Sequence, residues 1–378
     1  METGRVRELI DGSNPRVTSR GHLLFVRDHS IWAAPFDSAR LELTGAAAPV
    51  LDDVRVNLNS SAVFSLADNG SIVYVSSKPA SGTLAWVDLK ANQTPLPVPP
   101  ATYGQPQISP DGRNAVVRIE QSDRPELWLY SFERGSLSKL NDNVITSLWS
   151  ADGLKLIYSK FEPGKVTLVQ RNADGTGVEE ILIDNERMQF PTSQSHEGDL
   201  ILYHECDNYI AACDIGQLTL SDDPTAELIL QTEFSELHAA LSPDSRWLAY
   251  ESNQSGRVEV YVRPFPDVDS GRWQFSTEGG GQPVWSSNGK TLYYAAGPGM
   301  NRQMMAVGIS SERGLNLGIP APVFDFSSNF LGGIVRNHDL HPDDDRFLIA
   351  ITPELKSERL IYIQNWLDEV ERLVPTGR

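Results

Sequence analysis

Glu236 and His238 have the residue types and the spacing that acid–base chemistry requires. They are two positions apart in the segment SELHAALSP, and residues i and i+2 of a strand point to the same face. A carboxylate beside an imidazole can move a proton to or from a bound substrate. The same spacing also produces solvated pairs with no catalytic role, and we favour that interpretation.

The residues of this chain that most resemble a set of metal ligands are Asn337, His338 and Asp339. Consecutive residues of a strand face opposite ways, so we do not expect all three side chains to bind one ion. The segment DVDSG at 267–271 resembles the beginning of a calcium loop but lacks the later ligands and the closing Glu. We therefore predict no cofactor and leave open only Ca²⁺ in a central channel.

Motifs of the common catalytic and nucleotide-binding classes are absent. The sequence contains no GxSxG, GxxxxGKS/T, GxGxxG, HRD, DFG, HExxH or CxxC. These absences exclude protein kinase activity and the α/β-hydrolase chemistry that depends on a nucleophile elbow. They leave a site built from residues that are scattered along the chain.

Cys206 and Cys213 lie in YHECDNYIAACDI, which we interpret as a hairpin that turns at Asp207-Asn208. In that hairpin Cys206 is close to the turn and Cys213 is several residues from it. The two residues would then be about 10 Å apart, which is beyond the reach of a disulfide. We expect two ordinary thiols.

The elements that must position these residues form a repeat. Eight copies of a turn followed by a strand recur about 41 to 55 residues apart, a period typical of propellers and other arrays. The copies are VTSRGHLLFV at 17–26, SLADNGSIVYV at 65–75, ISPDGRNAVV at 108–117, WSADGLKLIYS at 149–159, QSHEGDLILYH at 194–204, LSPDSRWLAYES at 241–252, WSSNGKTLYYAA at 285–296 and LHPDDDRFLIAI at 340–351. In the Ser-Pro-Asp-Gly form, Pro presets φ, Asp bonds to its own backbone and Gly accepts a positive φ.

The residues around each turn indicate four strands per copy, which is the pattern of a propeller blade. We therefore predict an all-β fold: an eight-bladed β-propeller of four-stranded antiparallel blades, in a single domain over 1–378. The strand RVRELI at 5–10 is expected to close the ring as the outer strand of the last blade. Seven blades is the alternative, because the copy within 187–234 is the weakest.

Polar residues recur where the innermost strands begin. In a propeller these strands line the channel and their preceding loops form one face, so their polar side chains can converge on a ligand. The predicted ligand-binding residues are Tyr103, Gln105, Glu236, His238, Gln282, Asn337 and His338. The alternative is a polar lining that serves a water-filled channel without a ligand.

Three blocks carry a resemblance to a known family: ISPDGRNAVV, LSPDSRWLAYESNQSGRVEVYVRPFP and GGGQPVWSSNGKTLYY. They resemble the WD-like repeats of TolB-type β-propellers, and most closely the C-terminal propeller of bacterial serine/threonine kinases of the acidobacterial type. The resemblance covers essentially the whole chain. It implies a propeller that follows a kinase domain and a membrane span and that faces outside the cytoplasm.

The charge balance limits the partners. With 32 Lys and Arg against 50 Asp and Glu, the net charge is −18, which disfavours nucleic acid and anionic membranes. No apolar run is long enough to span a bilayer, and the N-terminus METGRVRELIDG lacks the apolar stretch of a signal peptide. We expect an extracytoplasmic location if the chain is the excised domain of a membrane kinase, and a cytoplasmic one otherwise.

These observations favour a non-catalytic sensor or scaffold propeller that binds a protein, peptide or small molecule at its channel mouth. The alternative is a propeller enzyme of the lactonase, lyase or glycosidase type, with a metal or a His/carboxylate site in the channel. Fold alone cannot choose between them, because function depends on the residues of the site.

Overall fold

The computed structural model describes the chain except for residues 1–7, 28, 57–60, 77–81, 122–123, 163–164, 208–211, 222, 298–300, 311–314, 329–334, 353–359 and 377–378. The chain divides into two compact units, where the sequence predicted a single domain over 1–378. The first unit comprises Met1–Pro79 and Leu355–Arg378, and the second comprises Ala80–Glu354. Each unit is described by itself below.

The described residues are almost entirely β-structure. The N-terminal strands of the first unit are β1 Ser13–Val17, β2 His22–Arg27, β3 Ser30–Asp37, β4 Glu42–Leu43, β5 Ala48–Leu51, β6 Phe64–Leu66 and β7 Ile72–Val75. The second unit begins with β8 Thr83–Asp88, β9 Gln93–Pro95, β10 Thr102–Ile108, β11 Asn114–Gln121, β12 Arg124–Ser131, β13 Ser136–Asp142, β14 Val144–Trp149, β15 Lys155–Glu162, β16 Lys165–Asn172, β17 Glu180–Ile183, β18 Met188–Gln194, β19 Leu200–Cys206, β20 Cys213–Thr219 and β21 Thr225–Leu230. It continues with β22 Glu236–Leu241, β23 Trp247–Ser252, β24 Glu259–Pro264, β25 Trp273–Gln274, β26 Gly281–Trp285, β27 Thr291–Ala296, β28 Asn301–Ser310, β29 Asn316–Leu317, β30 Ala321–Ser327, β31 His338–Leu340 and β32 Arg346–Ile351. The C-terminal part of the first unit contains β33 Leu360–Ile363 and the helix α1 Trp366–Leu373.

The repeated turn has the hydrogen bonds that its sequence predicts. Ser109 Oγ donates to Asp111 Oδ1 at 2.6 Å and accepts from Asn114 N at 3.0 Å. Gly112 follows with φ +71°, a conformation that a residue with a Cβ adopts only under strain. The same Ser–Asp contact recurs at Ser150 and Ser242. Each such turn joins the first two strands of a sheet.

The described residues of the second unit form six antiparallel sheets, five with four strands and one with five. The sheets are β10–β13, β14–β17, β18–β21, β22–β25, β26–β28 with β30 and the short β29, and β31-β32-β8-β9. Apolar clusters join every sheet to the next and the last to the first. Tyr293 of one sheet packs on Phe347 of the following sheet, for example, and Leu348 of that sheet packs with Ile119 of the next. The contacts between these six sheets therefore form a closed cycle.

The strand that completes the last copy of the repeat is not the one expected. β32 pairs antiparallel with β8, with Phe347 opposite Val87. Residues 8–10 form no strand, and the remainder of the expected strand 5–10 lies outside the described residues. The buried side chains of Leu84 and Val87 place β8 inside this sheet, and β9 takes the outer position at which strand 5–10 was expected.

The part of the first unit that the structure describes contains two sheets and the helix. β1, β2, β3 and β5 form one sheet, with β4 at the end of β3, and β33, β7 and β6 form the other. β33, which follows β32 along the chain, pairs with β7. Trp366 and Val370 of α1 pack against Leu24 and Ile72 in the core of this unit. No helix among the described residues is long and apolar enough to cross a membrane.

Cys206 and Cys213 form a disulfide, so the prediction of two separate thiols is wrong. In the β19–β20 hairpin the two residues are directly opposite each other, and their Cα atoms are 4.3 Å apart. This register differs from that of a hairpin turning at 207–208 and removes the expected separation of about 10 Å. Both side chains are buried.

Candidate functional site

One position of the repeat lies at the centre of the second unit. The innermost strands β10, β14, β18, β22, β26 and β31 contact one another from sheet to sheet. The residues four positions before the first residue of each turn are Gln105, Thr146, Pro191, His238, Gln282 and Asn337. Three of these, Gln105, His238 and Gln282, have a positive φ of 45°, 51° and 56°. The strand register shifts at the same places, so these residues lie in β-bulges, which redirect side chains.

Gln105 and Gln282 connect neighbouring sheets. The amide of Gln105 accepts from Ser147 N at 3.2 Å and donates to Ser147 O at 3.3 Å. Gln282 repeats this pattern, since its amide donates to Val335 O at 2.9 Å and accepts from Asn337 N at 3.5 Å. In each case a side-chain amide satisfies backbone groups of the next innermost strand, which has no strand partner on that side. These two predicted ligand residues therefore have a structural role.

His238 contacts a carboxylate, but not the one that the sequence suggested. Its Nδ1 lies 3.1 Å from Oε1 of Glu251, and the other oxygen of Glu251 accepts from Gln282 N at 2.8 Å. Burial raises the pKa of Glu251, but the charge of His238 and the hydrogen bonds from His238 and Gln282 outweigh burial and lower it. Glu251 escaped the sequence analysis because it lies in the second strand of its sheet, away from the channel-lining positions.

Glu236 and Tyr103 are held by other groups. Glu236 Oε1 accepts from Thr232 Oγ1 at 2.7 Å and from Ser252 Oγ at 3.2 Å, and burial raises the pKa of this carboxyl group. The bulge between Leu237 and Ala240 turns His238 towards Glu251, so the expected Glu236–His238 pair is not formed. Tyr103 packs in an apolar cluster, donates to Pro99 O at 2.6 Å and has its pKa raised to about 12 by burial.

Residues of the segment 336–339 also make contacts with neighbouring sheets. His338 Nε2 lies 3.1 Å from Gln282 O, the ring packs near Phe326, and burial holds the pKa of His338 well below its usual range. Asp339 accepts from Ile108 N at 2.8 Å in the next sheet. Arg336 pairs with the other oxygen of Asp339 at 3.1 Å. Among the described residues, no three His, Cys, Asp or Glu side chains form a group that could hold a metal ion.

A small cavity lies between the innermost strands. It is lined by Gln105, Gln107, Pro191, Thr192, His238, Ala239 and Arg336. Its volume of about 20 Å³ is enough for about one water molecule. The segments 103–107, 236–238 and 336–339 therefore meet at one place, together with Pro191 and Thr192, which the predicted residue set omitted.

Comparisons with known proteins bear on the fold. No family model matches the chain. An 81-residue stretch is 32% identical to the Tol-Pal system protein TolB of Anaeromyxobacter sp. (strain K), and the same match occurs in the TolB of Anaeromyxobacter dehalogenans. This stretch covers 21% of the chain and spans about a fifth of the length of these curated relatives.

A solved structure from Agrobacterium tumefaciens, described as a TolB, superposes with a TM-score of 0.58 at 17% identity. The superposition covers 71% of this chain and 97% of that one. At this identity the likeness concerns the fold. The repeated four-stranded sheets of the chain are those of a TolB-like β-propeller.

Proposed function

We propose that this chain is a non-catalytic binding propeller that recognises a protein or peptide at one end of its central channel. The observation that carries the proposal is that the channel residues make hydrogen bonds to neighbouring sheets and leave little space between them. Gln105, Gln282 and Asp339 bond to neighbouring sheets, and the cavity between the innermost strands has room for about one water. A ligand larger than water must therefore engage the surface around the channel.

We infer that the surface used is the leading end of the second unit, defined as the end of each sheet at which its innermost strand begins. Loop residues on the surface of a rigid scaffold commonly carry binding function. Asn185 and Gln231 are exposed in the loops that lead into β18 and β22. They form part of a surface that can contact an extended segment of a partner.

We further propose that the six sheets of the second unit form a six-bladed ring closed by the β32–β8 pair, in place of the eight or seven blades expected from the repeats. The cyclic packing of these six sheets supports this blade number. The resemblance to kinase propellers and the similarity of one stretch to Tol-Pal system proteins support a role in a multi-protein system. The buried disulfide supports an oxidising, extracytoplasmic compartment.

Selection of a displayed random-peptide library on the folded chain tests the binding role. We expect peptides whose affinity falls at least about tenfold, a change of about 1.4 kcal/mol, in the double variant Asn185→Ala/Gln231→Ala. The matched control is Leu154→Ser, an exposed residue at the opposite, turn-bearing end of its sheet, which should leave affinity unchanged. Peptides that respond equally to both variants, or a library that yields no binder, would contradict the proposal.

A further inference from the structure

Three carboxylates surround one arginine at the leading end of the sheet β18–β21, and a fourth carboxylate, Glu236 of the neighbouring sheet, interacts electrostatically with one of them, Asp214. Arg187 Nε lies 2.8 Å from Asp207 Oδ1. Its Nη1 lies 3.1 Å from both Glu205 Oε1 and Asp214 Oδ2. Gln231 and Thr232, which are adjacent in the linker between the two sheets, donate to Asp214 and to Glu236. We call Arg187, Glu205, Asp207, Asp214 and Glu236 the acidic cluster.

The charge of this region is strongly unbalanced. The segments 184–189, 205–207, 213–214 and 231–236 contain one arginine and seven carboxylates: Asp184, Glu186, Glu205, Asp207, Asp214, Glu233 and Glu236. Lys165 pairs with Asp184 from outside these segments. An excess of negative charge remains beside the buried Glu205, Asp214 and Glu236, and such an excess attracts cations from solution.

Two buried acceptor atoms, one in the cluster and one beside it, have no hydrogen-bond partner among the described residues. They are Oε2 of Glu236 and Oε1 of Gln189, and both side chains are at least nine-tenths buried. The amide nitrogen of Gln189 donates to Glu205 at 3.0 Å, which places this amide against the cluster. Burial and the charge of Asp214 raise the pKa of Glu236, and they outweigh the hydrogen bonds from Thr232 and Ser252 and the charge of Arg263, which lower it. Because both unsatisfied atoms accept hydrogen bonds, the group that completes the cluster must donate them.

We propose that the acidic cluster binds the ammonium or guanidinium group of a Lys or Arg side chain, so that the partner at the leading end is a basic segment. This deepens the proposed function and rests on it. A cationic donor satisfies both observations, since it brings N–H groups for the two acceptors and positive charge for the excess carboxylates. A metal ion fits less well, because the described side chains include no group arranged to hold one.

The rim of the cluster allows such a side chain to approach. Asn185, Glu186, Gln231 and Glu233 are exposed around it. Asp207 has 70% of its side chain exposed. Arg187 is bonded to Glu205, Asp207 and Asp214, and Glu236 is bonded to Thr232 and Ser252. The incoming cation therefore adds to the resident arginine and does not replace it.

Titration with fluorescently labelled tetralysine amide tests this directly and does not depend on the library. We expect Glu236→Gln to weaken binding at least about tenfold, as loss of a charge-assisted hydrogen bond requires. The control Glu227→Gln makes the same change of net charge at an exposed residue of β21 and should change the affinity less than about twofold. Tetralysine with acetylated side chains should not bind.

A second pair of variants changes exposed residues only, because replacing the buried Glu236 can itself destabilise the fold. Glu233→Lys and Glu227→Lys both replace exposed carboxylates, and only the first should weaken tetralysine binding several-fold. Equal effects within either pair would mean that tetralysine responds to net charge alone, and would overturn the inference. Selected peptides that bind the leading end but contain no Lys or Arg would also overturn the inference, while the proposed function would stand. The absence of any binder would count against the proposed function itself.

Discussion

The imidazole of His238 lies 3.1 Å from the carboxylate of Glu251, and both side chains are more than nine-tenths buried. The contact spans the first two strands of one sheet, and Glu251 extends it to Gln282 of the next. The sequence offered Glu236 and His238 as a candidate pair for acid–base chemistry. In the structure His238 contacts Glu251 instead, and this contact helps to connect two sheets.

The Glu251–His238 contact should contribute to stability. We expect Glu251→Gln to lower the free energy of unfolding by about 2 kcal/mol, because a neutral amide replaces the buried carboxylate that contacts His238 and accepts from Gln282 N. Urea unfolding at neutral pH measures this change. The exposed Glu227→Gln serves as the control and should lie within about 0.5 kcal/mol of the wild type. A similarly small effect at Glu251 would show that the contact contributes little.

The amide of Gln282 should act as a connection between sheets and not as a ligand contact. Gln282→Ala leaves backbone groups of 335–337 without their partner, and we expect a loss of about 1 to 2 kcal/mol of unfolding free energy. Gln217→Ala, which removes a contact to the exposed Glu227, should cost much less. Peptide affinity at the leading end should be unchanged by Gln282→Ala. A variant with normal stability and lost binding would assign Gln282 to the ligand site instead.

The disulfide should stabilise the second unit. Closing a loop of eight residues restricts the unfolded chain and contributes about 2 to 3 kcal/mol in the loop-entropy account. We expect Cys206→Ala/Cys213→Ala to lose about that amount in urea unfolding. The native wild-type protein, prepared under oxidising conditions, should show no thiol reactive to a colorimetric reagent before denaturation and reduction. Free thiols in that preparation would contradict the pairing.

Two buried histidines should make the protein sensitive to mild acid. Burial lowers the pKa of His204 and of His338 well below the ordinary value, so the unfolded chain binds their protons first as the pH falls. Stability should therefore decrease below the unfolded pKa of about 6.5, by up to about 1.4 kcal/mol per pH unit for each histidine. Urea unfolding at a series of pH values between 7.5 and about 5.5 measures the slope.

His204→Phe separates this effect from other titrations. Neither ring nitrogen of His204 has a hydrogen-bond partner among the described residues, and the ring lies beside Phe190, so phenylalanine should be accommodated. The variant should show a reduced slope between pH 7.5 and about 5.5. The exposed His196→Asn should keep the wild-type slope. An unchanged slope in His204→Phe would mean that other groups dominate.

The local part of the fold could be predicted from particular residues. Ser109, Asp111 and Gly112 specify their turn by themselves, and the apolar run from Ala115 to Val117 specifies the strand that follows. The candidate site was only partly accessible. His238 and Gln105 were recognised as residues at the channel, but the bulges that rotate them towards Glu251 and Ser147 depend on neighbouring strands.

The sequence by itself determined the repeated turns, the strands and the all-β class, because these depend on residues that are close along the chain. The tertiary structure decided that β32 pairs with β8, that Cys206 faces Cys213, and that the acidic cluster forms. The net charge of −18 shows an excess of acids but not where in the fold they lie. The pairing of β18, β19 and β20 in one sheet brings three of them to Arg187, since charge density depends on distances between residues that are separated along the sequence.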